Sequence, residues 1–187
     1  MELLFATGNL NKLEEFREAL SDTDVTLKQL DVDIDEIDAD DVSDVAVEKA
    51  LDSYNASGAE SPVMVDDTGL YVEGLNGFPG SMSGYFLSKV GLEGFLKLME
   101  VAKNRNAYFK TSICIYYPEK EGFVSLNGFC KGRISETVRG SKGFGYDPVF
   151  IPEGYQKTFG ESLEVKRKVS HRVDAINQLR DHLKEFY

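Results

Sequence analysis

Cysteine is scarce in this sequence, and apolar segments long enough to cross a membrane are missing. The two cysteines, Cys114 and Cys130, lie in segments with a strand pattern, so we expect buried, reduced thiols rather than a disulfide or a metal site. A membrane-spanning helix needs about 20 consecutive apolar residues, and Met1–Leu4 leads directly into a strand without a signal-peptide pattern. These absences favour a cytoplasmic protein with no membrane partner.

Basic residues are also in the minority. The chain has 21 lysines and arginines against 32 aspartates and glutamates, which gives a formal net charge of −11 at pH 7. Proteins that bind nucleic acid polymers need basic surface to neutralise phosphates, so this charge argues against such a partner. It remains compatible with a small phosphorylated ligand held by a few local cations.

The chain is long enough for a substantial core, with 187 residues of which 42% are hydrophobic. Neither a repeat nor a linker is visible, so we expect one domain over residues 1–187. Strand–helix–strand units and hairpins both occur, which predicts an α/β fold with a mixed sheet. Strands are predicted at Leu3–Ala6, Val25–Val32, a run ending at Asp66, Ala107–Tyr117 and Gly122–Glu136. Helices are predicted after Asn11, between the cap Ser43 and Gly58, around Leu92–Met99, and after the cap Ser170.

Two adjacent carboxylates, Asp66 and Asp67, follow the apolar run Pro62–Val65. Such a run before Thr68–Gly69 is typical of a buried strand. Two carboxylates at its end repel each other unless a cation or a proton lies between them. With Glu36 as a candidate third carboxylate, the pair would suit Mg²⁺, which prefers a few carboxylates together with water and phosphate oxygens. The alternatives are two solvated turn aspartates, and a solvated Glu36 within its acidic stretch.

A second candidate is the turn formed by Thr7, Gly8 and Asn9 between the first strand and the first helix. Backbone N–H groups and the positive end of the helix dipole favour a phosphate at such a helix N-terminus. Gly8 permits close approach of a ligand, and the Lys12 ammonium can reach a negative oxygen. The spacing of a P-loop is absent, and many turns of this kind bind nothing.

A third candidate is the aromatic pair Phe144 and Tyr146, which is separated by one glycine and preceded by another. Glycine neighbours leave an aromatic face uncovered, which suits stacking on a flat base. The alternative is an aromatic pair packed into the core.

Basic residues near the C-terminus form a fourth candidate. Lys166 precedes Ser170, His171 and Arg172 at the start of the last predicted helix. Ser170 is expected to cap that helix, and Arg172 can present hydrogen-bond donors to a carbonyl oxygen. His171 is either a ligand contact or merely exposed.

In combination these segments resemble the inosine triphosphate pyrophosphatase family, and the resemblance covers nearly the whole chain. Four motifs in the same order are highly specific, although each alone is weak. They are Ala6–Asn9 with Lys12 and Glu15, Val65–Leu70 followed by Leu75–Gly80, Gly143–Pro148, and Lys166 five residues before His171 and Arg172. The chain departs from the family pattern after Pro79 and Gly80. The family usually has a Tyr-Ser pair there, whereas this chain has Ser81–Gly84.

The resemblance implies a Mg²⁺-dependent enzyme that hydrolyses non-standard purine nucleoside triphosphates (ITP, dITP and XTP) to monophosphate and pyrophosphate, and so cleanses the nucleotide pool. It implies an elongated mixed sheet flanked by helices, two lobes with a central active-site cleft, and a homodimer. The implied triphosphate contacts are Thr7, Gly8, Asn9, Leu10, Asn11 and Lys12. The other implied residues are Asp67 for catalysis and metal binding, Glu36 for metal binding, Thr68 for substrate contact, Phe144, Gly145, Tyr146 and Asp147 for the base pocket, and Lys166, His171 and Arg172 for the nucleotide.

Two other functions stay open on the residues alone. One is a pyrophosphatase for modified pyrimidine nucleotides, and the other is a regulator that binds nucleotides without turnover. The combination of Phe144, His171 and Arg172 matches the purine family rather than the first alternative. The carboxylate pair Asp66 and Asp67 argues against the second.

Overall fold

The computed structural model describes residues 1–34 and 39–186 of the chain. Within them, the strands are β1 (Glu2–Ala6), β2 (Thr26–Leu30), β3 (Val63–Val72), β4 (Pro79–Gly80), β5 (Asn106–Tyr117), β6 (Gly122–Ile134) and β7 (Phe150–Pro152). They form one seven-stranded sheet with the order β2-β1-β3-β5-β6-β7, and β4 pairs with β3 outside this path. β1 is parallel to β2 and to β3. β4 is antiparallel to β3, and β7 is antiparallel to β6. The predicted α/β class with a mixed sheet is confirmed.

The helices within the same residues are α1 (Leu10–Ala19), α2 (Val42–Ser57), α3 (Ser83–Leu98), α4 (Leu163–Val169) and α5 (His171–Phe186). α3 is kinked at Gly91, whose φ of 67° lies in the left-handed region that glycine tolerates. None of the described helices combines the length and apolar character that crossing a bilayer requires.

The chain divides into two compact units, the first of which consists of Met1–Asp67, Thr111–Gly128 and Ala175–Tyr187. Its core packs apolar side chains of α1 against the sheet. The rings of Phe5 in β1 and Phe16 in α1 are 4.9 Å apart and both are fully buried. Leu179 and Leu183 of α5 belong to the same buried cluster, as their helical spacing predicts.

The second unit consists of Thr68–Lys110 and Phe129–Asp174. Its core contains Phe95 of α3, Phe109 of β5 and Phe150 of β7. The rings of Phe109 and Phe150 lie 4.6 Å apart. Each unit therefore has its own apolar core. The strands β3, β5 and β6 each have residues in the first unit and residues in the second.

The prediction that a strand ends at Asp66 is wrong, because β3 continues to Val72. An apolar run resumes after the carboxylates, and Leu70 and Val72 are fully buried. Leu70 and Tyr71 pair with the short strand β4, so Thr68–Gly69 does not form a turn. The two carboxylates therefore lie in the middle of a strand.

The predicted helix caps have mixed outcomes. Ser43 does not cap α2, because the N-cap is Asp41, whose side chain accepts a hydrogen bond from the Ser43 N–H at 2.8 Å. The Ser43 hydroxyl instead donates to Asn127. Gly58 ends α2 with a φ of 61°, and the Ser170 hydroxyl accepts from the Val173 N–H at 3.3 Å, so both of these predictions are confirmed.

The segment Ser81–Gly84, where the chain departs from the family pattern, contains a buried contact. The Ser83 hydroxyl accepts from the Leu70 N–H at 2.7 Å and donates to the Gly80 carbonyl at 2.5 Å. The same serine begins α3, so it joins β3, β4 and the helix within the second unit. Ser83 therefore fixes the connection between β4 and α3.

His182 of α5 lies in the first unit, with its Nε2 2.9 Å from the Tyr117 hydroxyl. Burial lowers the pKa of His182, while Glu185 raises it and Lys120 lowers it. The unfolded chain therefore binds a proton at higher pH than the folded chain. This contribution to stability is complete above about pH 6.5 and is lost as the pH falls through the folded pKa.

We expect the free energy of unfolding of the native protein, measured by urea titration, to decrease as the pH falls below about 6.5. The decrease should be less steep in His182→Gln, which keeps a hydrogen-bonding group but cannot titrate. Equal slopes in the two proteins would contradict the assignment.

Candidate active site

The turn at residues 7–12 joins β1 to the N-terminus of α1 in the first unit. The Asn9 N–H donates to the Thr7 hydroxyl at 3.1 Å, and the Asn9 side chain accepts from the Lys12 N–H at 3.3 Å. A Cβ atom at Gly8 would meet no other atom within 4 Å, so the space beside the turn is open. The positive end of α1 therefore faces a region that a phosphate can enter.

Leu10 and Asn11 are the first two residues of α1. The Leu10 side chain is 62% exposed, so it adds no packing that would close the turn. A phosphate contact of Leu10 would come from its backbone N–H at the helix N-terminus rather than from its apolar side chain.

Asp66 and Asp67 point to opposite faces of the sheet, because side chains alternate along a strand. Met64 precedes Asp66 by two residues and belongs to the buried cluster that contains the apolar side chains of α1. Val65 precedes Asp67 by two residues and packs with Ala46 and Ala50 of α2. Asp66 thus faces α1, and Asp67 faces α2.

Each carboxylate pairs with a lysine from the helix on its own side. Lys12 Nζ of α1 lies 3.0 Å from the Asp66 carboxylate, and Lys49 Nζ of α2 lies 3.0 Å from Asp67 Oδ1. The repulsion between the two carboxylates is therefore offset by two separate ammonium groups, whereas the sequence led us to expect a cation or a proton between them. The Asp66 side chain is only 1% exposed, and that of Asp67 is 17% exposed.

The environment of Asp67 suits a group that accepts protons. Burial raises the pKa of the Asp67 carboxyl, while its ion pair with Lys49 and the nearby charge of Lys12 lower it. The negative charge of Asp66 also raises the pKa of Asp67. A carboxyl with a raised pKa is a stronger base than an ordinary surface aspartate.

Sequence reasoning missed Lys49, although its position carries a signal. The buried residues of α2 are Val42, Val45, Ala46, Ala50 and Ser53. Lys49 lies three residues after Ala46 and four before Ser53, which places it on the same helix face. Because a lysine on an inward helix face requires an anion nearby, this position predicts a buried carboxylate as its partner.

A divalent cation fits Asp67 by the chemistry of its donor atoms. In the part of the chain that the structure describes, no group of three or more His, Cys, Asp or Glu side chains could hold a metal ion. Glu36, the other predicted ligand, lies outside the described residues. Mg²⁺ is commonly bound by one or two carboxylates together with substrate phosphates and water, so Asp67 and a bound polyphosphate would provide a suitable donor set.

In the second unit, a glycine-rich turn forms around the Asp147 carboxylate. Gly143 and Gly145 both have left-handed φ values, 75° and 63°. A Cβ atom at Gly143 would lie 2.0 Å from Asp147 Oδ2, so only glycine leaves room for that oxygen. The same oxygen accepts hydrogen bonds from the Phe144 N–H at 2.8 Å and from Lys166 Nζ at 2.6 Å.

Phe144 lies beside two of the predicted cations. Lys166 Nζ is 4.1 Å and Arg172 Cζ is 5.5 Å from the centroid of its ring. Lys166 and Arg172 are buried, whereas Phe144 is 40% exposed. An exposed aromatic ring with cations beside it can stack on a flat ring and offer hydrogen-bond donors to the edge of that ring.

The remaining predicted residues of the second unit differ in exposure. Tyr146 is buried in the core, where its hydroxyl donates to the Ser83 carbonyl at 2.9 Å. A stacking role in this turn therefore falls to Phe144. His171 is also buried and stacks on Phe109 at 4.5 Å, which rules out a merely exposed histidine. Thr68 follows Asp67 directly in β3 and is half-buried.

The chain is similar to a well-defined family of proteins. A model described as the Ham1 family matches residues 3–182. The dITP/XTP pyrophosphatase of Methanopyrus kandleri is 41% identical over 185 residues, which cover 98% of this chain and 97% of the relative. The dITP/XTP pyrophosphatase of Pyrococcus horikoshii is 42% identical over 185 residues, with the same coverage of 98% and 97%.

Solved structures show the same fold. A HAM1 protein from Coxiella burnetii matches with a TM-score of 0.88 and 29% identity, covering 99% of both chains. The Ham1 protein of Staphylococcus aureus also has a TM-score of 0.88, with 27% identity and complete coverage of both chains, 100%. Both units are therefore included in the similarity.

Proposed function

The chain belongs to the Ham1 family, and we propose that it hydrolyses non-standard purine nucleoside triphosphates (ITP, dITP and XTP) to the monophosphate and pyrophosphate. The observation that carries this proposal is the Asp67 carboxylate, which is paired with Lys49 and lies close enough to Lys12, in the first turn of α1, for the charge of Lys12 to lower its pKa. The names of the relatives, dITP/XTP pyrophosphatase, support the same substrate class. The family match over residues 3–182 supports a single pyrophosphatase domain over residues 1–187, and we propose for it a role in cleansing the cytoplasmic nucleotide pool.

In the first unit, the residues around α1 would hold the triphosphate. The helix N-terminus at Thr7–Asn11 and the Lys12 ammonium offset the negative charge of the phosphate oxygens. Asp67 would orient a water molecule and accept one of its protons as the water oxygen attacks the α-phosphorus. The bond between the α-phosphorus and the bridging oxygen then breaks, and pyrophosphate leaves.

We propose Mg²⁺ as the cofactor, with Asp67 as the described protein ligand and Glu36 as a second one. When bound, the ion would supply positive charge to the phosphate oxygens and lower the pKa of a coordinated water. The Asp67 side chain is 17% exposed, and this supports the assignment, because a hard cation selects carboxylate oxygens.

In the second unit, the turn at Phe144–Asp147 would form the base pocket. The exposed ring of Phe144 would stack on the purine, and Lys166, His171 and Arg172 would contact the nucleotide. The ion pair between Lys166 and Asp147 supports this arrangement, because it holds the lysine beside the Phe144 ring. Thr68 is proposed as a further substrate contact.

Pyrophosphate release from a panel of nucleotides with Mg²⁺ tests the proposed function. ITP, dITP and XTP should be hydrolysed much faster than ATP, GTP and dUTP, and chelation of the metal should abolish release. Preferred hydrolysis of a pyrimidine nucleotide, or tight binding of ITP without pyrophosphate release, would overturn the proposal.

Lys12→Met should weaken the binding of all triphosphates alike, by about 2–3 kcal/mol, because a charge-assisted contact to the polyphosphate is lost. The same variant removes the ion pair between Lys12 and Asp66, whose side chain is only 1% exposed. The free energy of unfolding should therefore fall as well. Adding Asp66→Asn should restore stability without restoring affinity. KM values for ITP and XTP, together with urea unfolding, separate the two effects.

The surface variant Lys28→Met is the matched control for Lys12→Met, because an exposed lysine contributes little to stability or binding. A loss of affinity confined to one base would show that Lys12 does not contact the polyphosphate.

We also propose a homodimer, on the basis of the family resemblance. Sedimentation velocity at micromolar concentration should show a species of about twice the chain mass of 20.9 kDa. A single species at the chain mass under these conditions would rule the homodimer out.

A further inference from the structure

The ion pair between Lys49 and Asp67 occupies the carboxylate to which the proposed function assigns the metal ion. Lys49 Nζ donates to Asp67 Oδ1 at 3.0 Å, and the two side chains are only 26% and 17% exposed. A divalent cation and an ammonium group compete for the same carboxylate oxygens, because both are positively charged. A cation that binds through Oδ1 therefore has to displace Lys49, and one that binds through the other oxygen is repelled by the ammonium beside it.

We propose that Lys49 is a positioning residue that holds Asp67 in the free enzyme and disfavours binding of a metal ion alone. The divalent ion then binds tightly only together with the nucleotide, whose phosphates supply negative charge that offsets the displaced ammonium. This inference rests on the proposed function, which makes Asp67 the metal-binding carboxylate. It adds that metal and substrate bind cooperatively and that Lys49 is the source of the coupling.

The packing of α2 supports a fixed rather than incidental ion pair. Lys49 lies between Ala46 and Ala50, both fully buried, and these two residues pack against Val65 of β3. Asp67 lies two residues after Val65 and thus on the same face of the strand. This contact sets the backbone positions of both partners, so Lys49 starts from a fixed point within reach of the carboxylate.

The pair formed by Lys12 and Asp66 provides a matched control within the same unit. Its distance is also 3.0 Å, but it lies on the opposite face of β3. Removal of Lys12 takes away a nearby positive charge without uncovering the oxygens of Asp67. If competition for the oxygens matters, Lys49→Met should change the metal affinity far more than Lys12→Met.

The experiment measures binding of Mn²⁺ alone to the nucleotide-free protein, from the electron paramagnetic resonance signal of free Mn²⁺. We expect weak binding to the native protein and at least about tenfold tighter binding to Lys49→Met, since a charged hydrogen bond no longer opposes the ion. Lys49→Arg should bind as weakly as the native protein. Lys12→Met should change the affinity by much less, and Lys49→Met combined with Asp67→Asn should lose the gain.

Unchanged or weaker Mn²⁺ binding by Lys49→Met would overturn the inference, and so would tight binding that persists when Asp67→Asn is added. Circular dichroism verifies the fold of each variant. Lys49→Gln, which is neutral but can still donate to Asp67, replaces Lys49→Met if the latter does not fold. Normal ITP hydrolysis by Asp67→Asn would instead disprove the assignment of Asp67 in the proposed function, so the two failures are distinguishable.

Discussion

Asp67→Asn should lower kcat for ITP by about 10²-fold or more. Asparagine keeps the shape of the side chain but removes the charge that attracts a divalent cation and the oxygen that accepts a proton from water. Burial raises the pKa of Asp67, so its loss removes a base stronger than an ordinary carboxylate. Pyrophosphate release at saturating Mg²⁺ and ITP gives kcat directly.

The matched control is Asp52→Asn, because Asp52 is an exposed carboxylate on α2 in the same unit. It should leave kcat within about twofold of the native value, as surface substitutions usually have small effects. Asp67→Asn also takes away the partner of Lys49, so urea unfolding must show that the variant is folded in the assay. A folded Asp67→Asn variant with near-native kcat would disprove the catalytic role.

Much of the fold could be predicted because helical periodicity is a local signal. The inward residues of α1 and α5 follow from spacing alone, and Gly58 ends α2 as its sequence position indicates. β7 has only three residues and α4 has seven, which is too short for a periodic pattern to develop. β7 exists because Ile151 and its neighbours pair with β6, and such pairing is decided by tertiary context rather than by propensity.

The candidate site was predictable to a different degree in each unit. The sequence indicated that Asp66 and Asp67 need positive charge nearby, because adjacent buried carboxylates repel each other. It could not indicate that two lysines provide the charge, since this depends on which helix covers each face of β3. Phe144 and Tyr146 have nearly the same local sequence, yet only the folded chain shows that the first is exposed and the second is buried.

ITP should be preferred over ATP by about 10⁴-fold in kcat/KM, with Arg172 as a main determinant. Inosine and xanthosine carry an oxygen at purine position 6, which accepts hydrogen bonds, whereas adenosine carries an amino group, which donates them. Arg172 is 3% exposed and lies beside the Phe144 ring at 5.5 Å. A guanidinium group in this position, helped by His171, would donate a hydrogen bond to the 6-oxygen of ITP. In ATP it would instead face the 6-amino group, which is also a donor.

Arg172→Met should therefore narrow the ratio of ITP to ATP turnover, chiefly through loss of ITP activity. Methionine is also unbranched and has an apolar stem, but it has no charge and no donor, so the cation–π contact with Phe144 and the hydrogen bond to the base are both lost while an apolar neighbour of the ring remains. Arg167→Met is the matched control, because Arg167 is exposed on α4 and the same chemical change there should leave the ratio unaltered. If native protein hydrolyses ATP as fast as ITP, or if Arg172→Met preserves the native ratio, Arg172 does not select the base.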